Sequence, residues 1–287
     1  MAFEHLRRSA LDYQTCAYGT CRLPFRGPPA GLAEDYIAFI GGSETFGRFC
    51  AQPFPVEVSA AIGMTALNLG SPNAGLDVFR EDPTVVELAR RARVRVVQVF
   101  GAQNMSNRMY SVHPRRNDRF VRASRMLRAL YGEVDFTEFH FTGHLLAALH
   151  RRDPQRFEVV AEELRIAWVH RMSAFLARIG GPTVLLWIAH RSPPDPAAAL
   201  AQEPRLVDAE MLRQVCDRGA VLAQAVIPPT SAAEMAEMYF DDLEAVTAAG
   251  LPGPSGHKHI AAQVIEALEA QAGLQASPAP EPGRRML

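Results

Sequence analysis

The chain has 287 residues, 48% of them hydrophobic and 21% charged, and its 30 lysines and arginines against 31 aspartates and glutamates leave a net charge of -1. This composition excludes wholesale disorder, and the even balance of charge argues against a dedicated nucleic-acid binder, whose domain is normally clearly basic. One large domain or two small ones is expected at this length. No apolar run approaches the roughly 18 to 20 residues that cross a bilayer, and Met1 to Arg8 carries Glu4, Arg7 and Arg8 where a signal peptide holds its apolar stretch. The expected location is therefore the cytoplasm. Cys16, Cys21, Cys50 and Cys216 lack paired CxxC spacing, so reduced, structural thiols are expected, with Cys16 and Cys21 close enough to flank a redox-sensitive loop.

In chain order, residues 1–34 are rich in Gly, Pro and Arg without a clear period and read as an arm or lid. Short apolar runs that stop at Gly, Asn or Pro then recur with helical stretches between them, the rhythm of a parallel α/β sheet. Tyr36 to Ile40 runs into Gly41-Gly42, and Ala66 to Leu69 is closed by Gly70. Arg95 to Phe100 ends at Gly101, Thr183 to Ile188 is the fourth run, and Val221 to Ile227 stops at Pro228-Pro229. Helix patterns fill the intervals at Pro53–Ile62, Thr84–Arg93, Pro154–Ile179, Asp208–Arg218, Ser231–Ala249 and Gly256–Ala272. In the third of these, Phe157, Val160, Ala161, Leu164, Trp168, Met172 and Phe175 recur at three- and four-residue steps, which gives one buried face. The interval of about 105–181 is too long for a simple crossover and predicts a helical insertion around Arg122 to His150. Residues 274–287, with Pro278, Pro280 and Pro282, read as a disordered tail.

Candidate chemistry gathers where the strands end, since loops at the carboxyl ends of parallel strands are where such folds put their sites. Gly41-Gly42-Ser43-Glu44-Thr45-Phe46-Gly47 follows the first strand directly. A Ser on such a strand-to-helix turn has an exposed hydroxyl with backbone N–H groups nearby that suit an oxyanion; a helix N-cap is its plainer role. After the second strand comes Gly70-Ser71-Pro72-Asn73, and after the third Gly101-Ala102-Gln103-Asn104. Neighbouring strands bring these loops together, so Gly70 N–H and the Asn104 amide are expected to join Ser43 around one oxygen.

In these blocks the sequence resembles the SGNH (GDSL-like) hydrolase superfamily, which uses a nucleophilic Ser, an oxyanion Gly, an oxyanion Asn and a base His in that chain order. The resemblance implies a flavodoxin-like three-layer α/β/α sandwich over 35–273, with a five-stranded parallel sheet and the helical insertion. It also implies Ser43 as nucleophile, Gly70 and Asn104 as oxyanion donors, and a serine-dependent ester hydrolase or acyltransferase. Gly42 stands where the family often has Asp, while Thr45 and Gly47 fit. Leu251-Pro252-Gly253-Pro254-Ser255-Gly256-His257-Lys258-His259 precedes the last helix, as the family's fourth block does. His257 is the candidate base, yet the acid three residues earlier is missing, since Pro254 precedes His257 and Gly256 precedes His259 at that spacing. Asp241 or Asp242 could orient it. A second alignment sets Gly256-His257-Lys258 after the base and leaves Leu251 in its place, an inactive hydrolase.

Arg108, Arg115, Arg116, Arg119, Arg122, Arg125 and Arg128 fall mostly at three-residue steps. On a helix they would form a basic stripe suited to phosphate, sulfate or carboxylate, with Arg22 and Arg26 of the arm adding to it, or else a solvated, ion-paired face. Arg108, Arg115, Arg116 and Arg22 are the candidate substrate contacts. Asp135 to Phe141 could lend a carboxylate and an imidazole to the same cleft. His140 and His144 lack a third ligand, and no GxGxxG or P-loop is present, so neither a metal nor a nucleotide cofactor is expected. The expected partner is a small-molecule or glycan ester, with no nucleic acid and no membrane, and the alternative is a non-catalytic fold of this type that binds an anionic glycan or sulfated ligand.

Overall fold

The computed structural model describes residues 11–194, 203–217 and 219–273. Its elements in order are β1 (Tyr36–Gly41), α1 (Ser43–Phe46), α2 (Phe54–Ile62), β2 (Thr65–Gly70), α3 (Leu76–Arg80), α4 (Pro83–Arg91), β3 (Val94–Gln98), β4 (Tyr110–His113), β5 (Arg116–Ala123), α5 (Arg125–Leu130), α6 (Thr142–Arg152) and α7 (Pro154–Ile179). There follow β6 (Thr183–Ala189), α8 (Ala209–Cys216), β7 (Ala220–Val226), α9 (Ala232–Met235), α10 (Ala245–Ala249) and α11 (Pro254–Ala272). The tail expected over 274–287 lies outside the described residues.

Every residue of β1, β3 and β6 is buried, as continuous apolar runs demand when a parallel sheet is covered on both faces. The sheet order is β2-β1-β3-β6-β7, all parallel, which is the flavodoxin-like order. Alternation along each strand divides the core in two. Ile37, Phe39, Val96 and Leu186 pack with Phe54 and Val58 of α2 and Ile260 and Val264 of α11. Tyr36, Ala38, Ile40, Val97 and Trp187 face the other way, toward Val85 of α4, Phe157 to Phe175 of α7 and Met211 of α8. Helix α7 spans the predicted residues because Asp153 caps it, Pro154 occupies its first turn, and Trp168, fully buried, gives its indole N–H to Phe100 O at 2.7 Å. No described helix is long and apolar enough to cross a membrane.

Two expected helical stretches are corrected. The insertion opens with an antiparallel hairpin, β4 with β5, so Arg116, Arg119 and Arg122 stand on a strand; only Arg125 and Arg128 are helical, on α5. Buried Val112 and Phe120 make the strand-period signal that the arginine steps concealed. The stretch 231–249 is not one helix either. It breaks after α9, because Tyr239 gives its N–H to Phe49 O at 3.0 Å and Asp241 caps a separate 3-10 turn at Asp242–Glu244.

Candidate functional site

The strand order reverses between β1 and β3, and the crevice outside their carboxyl ends is where a fold of this kind binds ligands. Ser43 stands there. It is the first residue of α1, with Gly42 as the N-cap, so it does not serve as the cap; its Oγ, partly exposed, accepts from Asn73 N–H at 3.4 Å. The turn is held by close packing. A Cβ on Gly70 would lie 2.3 Å from the Phe46 backbone nitrogen, and Gly47 closes α1 at φ 74°. From the arm, Arg26 donates to the carbonyls of Phe46, Gly47 and Ala51 at 3.3, 2.8 and 3.0 Å, fastening the end of the same helix.

A polar network lines the crevice beside Ser43. Gln98, the last residue of β3, accepts from Gly42 N–H at 2.9 Å and from Thr45 Oγ1 at 2.7 Å, and its amide donates to Glu44 Oε2 at 2.8 Å. Burial pushes the Glu44 carboxyl above the usual carboxylate range; the Gln98 hydrogen bond opposes that shift and the charge of Glu203 adds to it. On the next loop Gln103 donates to both Glu203 oxygens at 2.8 and 2.9 Å. The Asn104 Oδ1 accepts from Thr142 Oγ1 at 2.7 Å, which orients the amide and leaves its Nδ2 without an acceptor among the described residues. Gln98, Glu44 and Gln103 were missed in the sequence. The one available signal was a Gln flanked by Val-Val and Val-Phe in the RVVQVF run.

Two expected site roles fail on geometry. Gly70 N–H is occupied, donating to Asn68 Oδ1 at 2.8 Å while the Asn68 amide holds Thr45 O at 2.9 Å, so this glycine packs the turn and supplies no oxyanion donor. His257 is only 1% exposed, within the first turn of α11. Its Nδ1 accepts from Phe54 N–H at 3.2 Å, its ring stacks on Phe54, and its Nε2 has no hydrogen-bond partner, Ser43 included. Burial, reinforced by the Arg26 charge, holds its pKa down to about 3. It is not placed to take a proton from Ser43. Asp241 does not orient it, being spent on capping Glu244 N–H at 3.0 Å. Leu251, which stands in the base position of the second alignment, packs instead with Phe49, Met238 and Ala248 in a small apolar cluster.

The candidate substrate arginines do not converge on Ser43. Arg108 donates to Glu163 of α7 through both Nε and its backbone N–H, Arg116 lies 3.9 Å from Asp118, and Arg115 is exposed in the hairpin turn. Arg22 is exposed, next to Thr20 and Cys21, which lie against Thr84 and Asp82 at the start of α4. His140 and His144 belong to no group able to hold a metal, and among the described residues no set of three or more His, Cys, Asp or Glu does so.

Fold and crevice define an α/β protein of flavodoxin-like strand order with a serine at the switch point. Residues 1–272 match the model of the family described as "Domain of unknown function (DUF6473)", and the chain belongs to that family. No curated protein matches the sequence. Among solved structures, the chain is similar to the lipase Lip_vut3 from a goat rumen metagenome, at 12% identity over 84% of this chain and 99% of that one, with a TM-score of 0.40. It is also similar to the salicylyl-acyltransferase SsfX3 from a tetracycline biosynthetic pathway, at 11% identity over 84% of this chain and 56% of that one, TM-score 0.39. A third similar structure is a protein from Lactobacillus plantarum, at 12% identity over 84% and 99%, TM-score 0.38.

Proposed function

We propose that this chain binds the carbonyl group of a small acyl ester or amide in the β1/β3 crevice and is, toward water, an impaired hydrolase. The Ser43 hydroxyl and the Asn104 Nδ2 supply donors suited to a carbonyl oxygen, and the site offers them on the loops that the SGNH resemblance assigns to nucleophile and oxyanion stabiliser. What carries the reading is the unpartnered, buried Nε2 of His257. A serine hydroxyl without a base in hydrogen-bond reach is a weak nucleophile, so binding outlasts chemistry. An anionic glycan or sulfated ligand, the other expectation, finds Glu44 and Glu203 in this crevice and, among the described residues, no free arginine.

A second reading, acyl transfer through Ser43 with Glu44 as base, draws on one observation. Burial moves the Glu44 carboxyl toward the pH at which a general base works best, and it follows Ser43 directly in the chain. Hydrolysis of p-nitrophenyl acetate by wild type and Ser43→Ala separates the two. Rates within about threefold of each other support binding without turnover. A Ser43-dependent rate of about a hundredfold or more, of the size general-base catalysis contributes, overturns it, and abolition of that rate by Glu44→Gln assigns the base.

A further inference from the structure

The arginines that the Ser43 crevice does not use have a place of their own. Between the hairpin and the start of the helical insertion lies a cavity of about 310 Å3, lined by Phe120, Arg122, Ala123, Arg128, Tyr131 and Phe136 among others. Its floor is apolar, since Phe120, Ala123, Tyr131 and Phe136 are all buried. Arg122 and Arg128 stand at its rim. Several arginines elsewhere are tied to acids: Arg171 pairs with Asp77, Arg156 with Glu133, Arg213 with Glu210. Among the described residues neither Arg122 nor Arg128 has an acidic partner.

Backbone geometry aims both groups. Ser111 pairs with Arg122 and Val112 with Phe120, so Val121 is the extra residue of a β-bulge. Without the bulge Arg122 would alternate onto the buried face with Phe120. With it, Val121 (55% exposed) and Arg122 both turn outward while Phe120 and Ala123 remain inside. From α5, Arg128 gives its Nε to Ala123 O at 3.3 Å, which ties the guanidinium to the cavity wall and leaves its two terminal nitrogens unengaged. The one carboxylate on the rim, Asp135, is turned to its own chain, accepting from Thr137 N–H at 2.9 Å and Thr137 Oγ1 at 2.7 Å.

We infer that this cavity is a second binding site, for a small organic ligand that carries a phosphate or carboxylate head on a compact apolar body. Two guanidiniums without acidic partners that line one cavity can form charge-assisted, forked contacts with such a head, and the aromatic floor takes the body. The inference stands apart from the reading of Ser43.

Isothermal titration calorimetry at low salt with phenyl phosphate, benzoate and uncharged phenol tests it. At least one anion binds the wild type, phenol binds roughly tenfold more weakly or worse, and the Arg122→Gln/Arg128→Gln variant loses roughly tenfold in anion affinity. Arg122→Lys/Arg128→Lys, which keeps the charge and loses the fork, falls between. Because both side chains are exposed, the melting temperature of each variant stays near that of wild type, so a loss of binding is not a loss of fold. Whichever anion binds more tightly identifies the head group, and Ser43→Ala leaves both unchanged. Absence of saturable binding by either anion, equal binding by the Arg→Gln variant, or loss of binding in Ser43→Ala overturns the inference.

Discussion

The loop that leaves β1 and the connection from β7 to α11 both follow carboxyl ends of parallel strands, meet at Arg48 and Phe49, and have been treated in opposite ways. The first keeps a serine on a tight turn, packed so closely that glycine is required beneath it at Gly70. The second, across 227–253, presents Leu251, Met238 and Phe240 to Phe49, and it leads into a helix whose candidate base, His257, is buried against Phe54. The contrast has a physical cause. The Ser43 turn is fixed by sheet and helix packing whether or not it reacts, whereas nothing in the core needs an imidazole at the end of the β7 loop, so an apolar plug stabilises that end equally well.

Acidification should break this arrangement with the largest effect. His257 is held neutral by burial, its pKa lowered from an ordinary 6.5 to about 3. The stabilising contribution of the neutral ring is complete above pH 6.5 and is lost as pH falls toward 3, a total of roughly 4 kcal/mol or more if the ring must charge. Urea unfolding of wild type should show that slope, and His257→Gln, which keeps an acceptor for Phe54 N–H, should flatten it. An equally steep slope in the variant would show that another group drives acid unfolding. On the Ser43 side, Gly70→Ala should cost about 3 kcal/mol, since its Cβ meets backbone and not a movable side chain. A loss below 1 kcal/mol would mean the turn can shift.

Smaller effects sharpen the same comparison. Arg26→Ala removes three hydrogen bonds from a charged donor to the end of α1 and should cost about 2 kcal/mol, while a change at the β7 connection, Glu244→Gln, weakens its Arg48 ion pair by less than about 1 kcal/mol. If the two losses were equal, the Ser43 side would be no more firmly held than the other. Glu44 provides the smallest and most diagnostic difference. Its carboxyl is raised by burial, so the stability it lends is present at low pH and is lost as pH rises through its folded-state value. Glu44→Gln mimics the protonated form and should gain stability over wild type near neutral pH and none near pH 4. A variant that is less stable at both would show that Glu44 is needed as a carboxylate.

Much of this architecture was legible before any coordinates. The five parallel strands appear within two residues of the expected apolar runs, and α7 has the limits its stripe predicts, because burial on both faces or on one leaves a period that local sequence carries. The serine turn was legible too, since its glycines mark a tight bend. Gln98 was not, because a polar residue inside a buried strand reads as noise until its three hydrogen bonds are seen. The hairpin was hidden by its own bulge, which sets Arg122 out of alternation and lets a strand imitate a basic helix.

Local pattern was therefore sufficient for the strands, the long helix and the tight turn that carries the partly exposed Ser43. Which side chains share the crevice was decided only by the folded chain. The Phe54 N–H that holds His257 comes from 203 residues away, and the fit of that ring beneath α2 depends on cavity shape and desolvation, neither of which a spacing rule encodes. The same reason separates the arginines from Ser43: charge count and spacing are properties of the sequence, while the direction each guanidinium faces is set by a bulge and by the acid, or the absence of one, that packing brings beside it.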